Sequence, residues 1–507
     1  MSTRKIIHAG QVLCGFDQAG APELLHDAAI LVDGDTIAEI GDGPALRQAY
    51  PDATQIGGDG YFAMPGLVNA HHHVGLTPLQ LGSADHPLEL WFASRLAMRD
   101  IDPRLDTLYS AFEMIASGVT TVQHLHSRAP GDEEAVLGAA TAIIGSYETI
   151  GMRASYSFAL RDQNRLVYEA DEAFLSRAPA SLRPELARYF AGFPLTLAEQ
   201  IGIFHELRRR YTASSRIAIQ IAPANLHWLS DKALESAGRM AAETGAPMHM
   251  HLLETPYQKA YARKRTGGSA MAYVERMGLV GPSLTIGHGV WMNEADLEIC
   301  AHTGTLICHN CSSNFRLKSG VAPVPAMLRR NIPVAIGIDE AGINDDRDML
   351  QEMRMVLLAH RAPGIDNYAP IPAEVLRMAT EYGARTTPFS EKIGRLAPGR
   401  MADIVLLDWR KVTWPYQDDA ISPVDVLVHR CRREAVDTVL IGGEVVYVKG
   451  RFTQIDRDAV LAEIADCLVR PRTPEEVARR KLAAEMMPFV SRFYDGYLDP
   501  SDLAREI

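Results

Sequence analysis

Eight short apolar runs separated by amphipathic stretches fill the middle of the 507-residue chain and restrict its fold more than any other feature. They are 62–68, 120–125, 154–159, 217–222, 247–252, 284–287, 306–309 and 334–338. Short buried strands alternating with helices are the pattern of a parallel sheet, and eight of them predict a closed (β/α)8 barrel of the TIM type. The stretches 105–117 and 231–244 end at Gly118 and Gly245, the residue type that accepts the left-handed turn closing a helix. Outside this middle the pattern is strand-only. Residues 6–13, 29–32 and 36–40, with a turn at Gly34, are matched by a β-rich return at 402–407 and 438–446. One small sheet domain built from both termini, 1–60 and 390–455, is therefore expected beside a barrel over 61–389. Residues 456–507 form a helical extension, ending in the aromatic cluster Phe493, Tyr494 and Tyr497. That tail is expected to pack on its own barrel or on a neighbouring subunit, and the protein to be a homodimer or larger homo-oligomer.

Composition bears on where such a protein works. The apolar share of 47% and the charged share of 22% are those of a soluble globular protein with a large core. A net charge of -12 with no basic cluster argues against nucleic acid as a partner. No apolar run is long enough to span a bilayer, and the first residues lack a signal-peptide pattern. Six scattered cysteines fit a reduced cytoplasm, and Cys308 and Cys311, lacking a second pair, are expected to be structural. A small molecule is the expected partner.

Chemistry concentrates at the ends of the predicted strands. The first run closes in His71, His72 and His73, and strand alternation puts His71 and His73 on one side and His72 on the other. Further runs end in Gln123, His124 and His126; in Arg161 and Gln163; in His249, His251 and Glu254; and in His288, His309 and Asp339. In a barrel these ends share one rim, and isolated charge there would be costly to bury. A mononuclear site assembles from His71, His73, His251 and Asp339, which suits one divalent metal, zinc first and iron(II) second. Glu254, three residues beyond His251, is placed as a proton shuttle, and His288 as a hydrogen-bonding group for water or an oxyanion. His249 lies deeper on the same side as His251. Position 222–225 offers no lysine, so a two-metal centre bridged by a modified lysine is not expected. His126, Arg161, Gln163 and His309 are candidates for contacting substrate. Glu340, next to Asp339 on a strand, is expected to point away and pair with a helix or loop cation.

At this point the chain resembles the amidohydrolase superfamily, specifically the aminohydrolase branch of cytosine, guanine and adenosine-derivative deaminases and s-triazine chlorohydrolases. The resemblance runs from about 6 to 450. It is carried by PGLVNxHxH at 65–73, GxTT at 118–121, HxxE at 251–254, HNxxSNxxLxSGxAPV at 309–324, the aspartate-bearing loop 337–349, and IGxLxPGxxAD at 393–403. It implies a distorted barrel with a β-sandwich from both termini, and a metal held by His71, His73, His251 and Asp339 with Glu254 and His288 catalytic. It also implies that Glu89 and Trp91, an acidic-x-tryptophan segment, help hold substrate. Four positions depart from the branch: Glu340 stands for a glycine, Ile343 for a serine, Cys311 for a proline, and Leu81-Gly82 for Arg-Gly.

The expected activity is hydrolytic deamination of an amino-substituted nitrogen heterocycle (purine, pterin, pyrimidine or triazine) with release of ammonia. Asp339 serves as base for the attacking water, Glu254 protonates the ring nitrogen and then the leaving group, and His288 stabilises the intermediate. Hydrolysis of an amide, urea or cyclic amide, or loss of ring chloride, would use the same site. A non-catalytic ligand-binding relative is the remaining alternative.

Overall fold

The computed structural model describes residues 4–127, 130–365 and 368–504. The N-terminal strands are β1 (Arg4–Phe16), β2 (Pro22–Asp33), β3 (Thr36–Asp42) and β4 (Thr54–Pro65). The middle carries β5 (Leu67–His72), β6 (Val119–His126), β7 (Arg153–Leu160), β8 (Ile217–Ile219) and β9 (Ala222–Pro223). It continues with β10 (Met248–Leu252), β11 (Leu284–His288), β12 (Leu306–His309) and β13 (Val334–Ile336). The C-terminal strands are β14 (Ile404–Asp408), β15 (Val436–Ile441), β16 (Glu444–Val448) and β17 (Arg451–Phe452).

The terminal strands form one eight-stranded sheet in the order β17-β16-β15-β14-β4-β1-β2-β3. Its two halves meet where β14 runs antiparallel to β4, with Leu407 opposite Phe62 and Ile404 opposite Pro65. The middle strands form two parallel sheets, β5-β6-β7-β8 with β9 beside β7, and β10-β11-β12-β13. Isolated parallel bridges, Ile221 to Met248 and His72 to Asp339, join the edges of these two sheets.

The run 62–68, expected as one strand, is two. Residues up to Pro65 belong to the terminal sheet, and the first strand of the middle begins at Leu67. Pro65 has no N–H to continue the ladder, and Gly66 packs so closely that a Cβ there would sit 2.1 Å from Thr120 Oγ1. The run 217–222 is likewise divided, between β8 and β9.

A buried ion pair ties the middle to the terminal sheet. Arg153 on β7 makes two hydrogen bonds to Asp403, Nε to Oδ2 and Nη2 to Oδ1, both 2.9 Å. Asp403 closes the glycine-rich motif that leads into β14, so that motif has a mechanical role. Breaking such a pair by removing one partner costs about 3–5 kcal/mol.

The tail packs on its own chain. Met486, Val490 and Tyr494 of the helix Pro474–Tyr494 share an apolar cluster with Ala93, Leu96, Tyr168 and Phe174. Its first turn is pinned from the same side, since Asp100 N–H donates to Glu476 Oε1 at 2.9 Å. The tail therefore buttresses the helix Leu88–Ser94, which carries residues of the site described next.

Candidate metal centre and active site

His71 and His73 leave the end of β5 on the same side, as alternation requires, with their Nε2 atoms 3.0 Å apart. His251 on β10 brings a third Nε2 to 3.0 Å from that of His73. Asp339 Oδ1 lies 3.2 Å from His73 Nε2 and 3.6 Å from His71 Nε2. What decides the chemistry is the far side of each ring. His73 Nδ1 donates to Leu125 O at 2.5 Å, and His251 Nδ1 to Ala224 O at 2.9 Å. A neutral imidazole carries one ring proton, so with Nδ1 donating both Nε2 atoms present lone pairs to each other. Two such lone pairs at 3.0 Å repel unless a cation lies between them. His71 Nδ1 is 2.8 Å from His249 Nε2, which orients the third ring in the same sense. Three imidazoles and one carboxylate suit zinc or iron(II). Among the described residues, the sets that could hold a metal include His71 with His73 and Asp339, and His71 with His251 and His288. A further set joins His71, His249 and Cys308, whose thiol burial pushes well up.

His72 turns the other way, as expected: its Nε2 is 3.2 Å from Ser110 Oγ, under the helix Pro103–Ala116. Gly337 lets the chain after β13 pass against β5. A Cβ there would come 2.5 Å from the His71 Cβ.

Burial acts on every ring here. It lowers His71, His251 and His288, with neighbouring histidines adding to the effect on His71 and His251. For Asp339 burial pushes the carboxyl up, but when His73 is protonated its hydrogen bond and charge, with His288 and Ser313, outweigh burial and hold the group well below the carboxylate range; Asp339 in turn raises His73, against the burial of that ring. Ser313 Oγ donates to Asp339 Oδ2 at 2.5 Å. Glu254 is the opposite case: burial, then the charges of Asp339 and Glu89, raise it well above 4.5. Two carboxyls in one pocket are thus pushed apart into a base and an acid. His288 stands between them, its Nε2 3.7 Å from Asp339 Oδ2 and 3.8 Å from Glu254 Oε2. Its Nδ1 faces Asn314 Oδ1 at 2.9 Å, which places the ring proton on Nδ1 and leaves Nε2 as an acceptor.

Leu253, His288 and Asp339 all have φ above +50°, at 53°, 75° and 62°. None is glycine, and left-handed backbone in such residues concentrates where function demands it. The turn at Asp339 overturns one expectation. Glu340 follows a left-handed residue beyond the end of β13, so strand alternation no longer applies, and its side chain lines the same cavity as Asp339. The expected cation partner is there: Arg95 Nη1 donates to Glu340 Oε1 at 3.0 Å.

The cavity over these residues measures ≈ 400 Å³ and is walled by Trp91, Phe92, Trp228 and Leu317, with Arg95, Glu254, His288, Asp339 and Glu340 among its polar groups. Of the proposed substrate contacts, Trp91 lines it. Glu89 does not: its Oε1 accepts from Thr255 Oγ1 at 2.5 Å and from Tyr168 OH at 3.0 Å, in the buried layer behind the helix. Arg161 lies 4.0 Å over the Trp228 ring and lines a neighbouring cavity instead. Gln163 Nε2 donates to the carbonyls of His227 and Leu229, holding the loop that carries Trp228. His126 Nδ1 lies 2.9 Å from Tyr156 OH, and His309 Nε2 3.1 Å from His360 Nε2; neither lines the cavity. A strand end selects the rim but not the neighbour that each side chain meets.

Sequence reasoning gave no role to Ser313 and Asn314, though both stand in the motif at 309–324, and it missed Trp228, Phe92 and Arg95. The last two had a readable signal, because Leu88, Trp91, Phe92 and Arg95 recur at helical spacing and share one helix face.

Comparison with known proteins agrees with this geometry. The amidohydrolase family matches residues 62–446, and an imidazolonepropionase-like composite domain of bacteria matches 28–53. A 5-methylthioadenosine/S-adenosylhomocysteine deaminase of Nitratidesulfovibrio vulgaris is 30% identical over 452 residues, 88% of this chain and 93% of that one. A 5'-deoxyadenosine deaminase of Methanopyrus kandleri is 27% identical, covering 89% and 96%. Among solved structures, a zinc-bound adenosine deaminase from Xanthomonas campestris superposes with a TM-score of 0.76 at 25% identity, covering 91% of this chain and 97% of that one. With the family match spanning most of its length and these relatives aligned nearly end to end, the chain belongs to the amidohydrolase family.

Proposed function

We propose that this protein is a zinc-dependent deaminase of an amino-substituted nitrogen heterocycle, with adenosine-type purines as the first candidates. One observation carries the reading: two carboxyls pushed in opposite directions, Asp339 down and Glu254 up, flank His288 Nε2 at 3.7 and 3.8 Å beneath an aromatic-walled cavity. In this reading the two parallel sheets form the distorted barrel, and the terminal sheet is the composite β-sandwich domain.

His71, His73, His251 and Asp339 would hold the ion, which when bound supplies the positive charge that lowers the pKa of water from about 15.7 towards 7. Trp91, Phe92 and Trp228, whose ring centroids are 5.6 and 5.1 Å apart in sequence, offer planar faces for a heterocycle. As the water oxygen bonds to the amine-bearing ring carbon, its first proton goes to Asp339. Glu254 gives its own proton to the adjacent ring nitrogen. The proton on Asp339 then passes over His288 Nε2 to Glu254 and on to the amine. The carbon–amine bond breaks, ammonia leaves, and the remaining hydroxyl proton returns by the same route to Glu254. Atoms balance: water and the amine become the oxo-heterocycle and ammonia. The relatives named as adenosine-derivative deaminases support the choice of purines.

Ammonia release by the zinc-loaded protein from a panel of purine, pterin, pyrimidine and triazine amines tests this. Release from at least one panel member is expected. Release of chloride from a chlorotriazine, or cleavage of an amide or urea, with no ammonia from any ring amine, would overturn it.

A further inference from the structure

Glu340 is the carboxylate that the mechanism leaves unused. It is 6% exposed, and only its Oε1 is paired, to Arg95 Nη1 at 3.0 Å. Its Oε2 is buried with no hydrogen-bond partner among the described residues, and the same holds for Arg95 Nε. Both side chains line the cavity that Asp339 and Glu254 line. A carboxylate oxygen accepts hydrogen bonds, and a buried acceptor left unpaired is costly. The guanidinium that fixes Oε1 also lies 4.4 Å over the Trp91 ring, so the pair is built against the aromatic wall and cannot swing away freely. Glu89, the acidic residue of the helix Leu88–Ser94, spends its Oε1 on Thr255 and Tyr168 and does not reach the cavity.

We propose that Glu340 is a specificity-determining residue: its Oε2 accepts a hydrogen bond from an O–H or N–H group of the substrate, on a part of the molecule other than the amine that leaves. The inference rests on reading this cavity as the deaminase site. A carboxylate held this way selects substrates with a donor at that place, either a sugar hydroxyl or a ring N–H. It rejects analogues that lack one, because the acceptor would then stay buried and unpaired.

The test measures affinity and so does not depend on ammonia being released. Zinc-loaded full-length protein carrying Glu254→Gln, to block turnover, is titrated calorimetrically with adenosine, 2′,3′-dideoxyadenosine, guanine and 1-methylguanine. In one pair the analogue lacking the donor should bind about 10-fold or more weakly. The pair that shows it separates hydroxyl from ring N–H as the source. Adding Glu340→Gln should remove most of that difference while zinc content stays the same. Should Glu340→Gln not fold, the two ligand pairs still probe the contact with Glu340 intact. Equal affinities within both pairs, a difference that persists in Glu340→Gln, or no binding by any of the four would overturn the proposal.

Discussion

His73 Nε2 and His251 Nε2 lie 3.0 Å apart while the opposite nitrogen of each ring is tied to a backbone carbonyl, Leu125 O and Ala224 O. The backbone thus sets the tautomer of both rings and turns two lone pairs towards one point. His73→Ala and His251→Ala should each lose the bound metal. His72→Ala should keep it and lose only stability, by about 2 kcal/mol, since its buried ring meets Ser110 instead. Metal analysis with thermal melts on the three variants checks this; equal metal loss in all three would contradict it.

Glu254 and Asp339 are separable. Glu254→Gln should keep the fold, the metal and substrate binding and lose turnover by about 100-fold or more, as for removal of a general acid–base group. Asp339→Asn should weaken metal binding as well, because it removes a ligand charge together with the base. Metal content and turnover measured on both variants decide the matter, and metal loss in Glu254→Gln would place the shuttle elsewhere.

Ser313 donates to the Asp339 oxygen nearer His288 at 2.5 Å. A hydrogen bond to a charged group is worth about 1.5–3 kcal/mol. Ser313→Ala should therefore fold normally and lose about 10-fold in kcat, while Ser313→Thr, which keeps the hydroxyl, should recover most of it. Equal losses in the two variants would show that the site needs the small side chain and not the donor.

Glu352 gives the fold a pH dependence of its own. Burial pushes its carboxyl from 4.5 up to about 7, against hydrogen bonds from the Ser312 hydroxyl and from the Ser312 and Cys311 N–H groups. A carboxyl raised on folding stabilises the native state fully below the unfolded value and loses that contribution as pH rises through the folded one. Here the window runs from 4.5 to about 7, and the contribution lost is about 3 kcal/mol. Denaturant unfolding of wild type and Glu352→Gln at about pH 5 and pH 8 should show wild type losing more stability on the rise. Parallel losses would overturn this.

The strand–helix alternation, the junction of both termini in one sheet and the converging ends of β5, β10 and β13 could be read along the chain, because side-chain period and burial are local properties. So could the parity that separates His72 from His71 and His73, since β5 stays extended up to His72. That reasoning failed at Glu340, where Asp339 is left-handed and the side chain comes round to the cavity. Nor does a position at an element's end say which neighbour captures the polar atom of Glu89, His126, Gln163 or His309. Those outcomes rest on contacts between residues far apart in the chain: Tyr168 with Glu89, His227 with Gln163, His360 with His309 and Arg95 with Glu340. Residue type and spacing determined which atoms were available for chemistry. Packing decided which of them still have a free lone pair facing the cavity, because a buried polar atom bonds to whatever the fold places beside it.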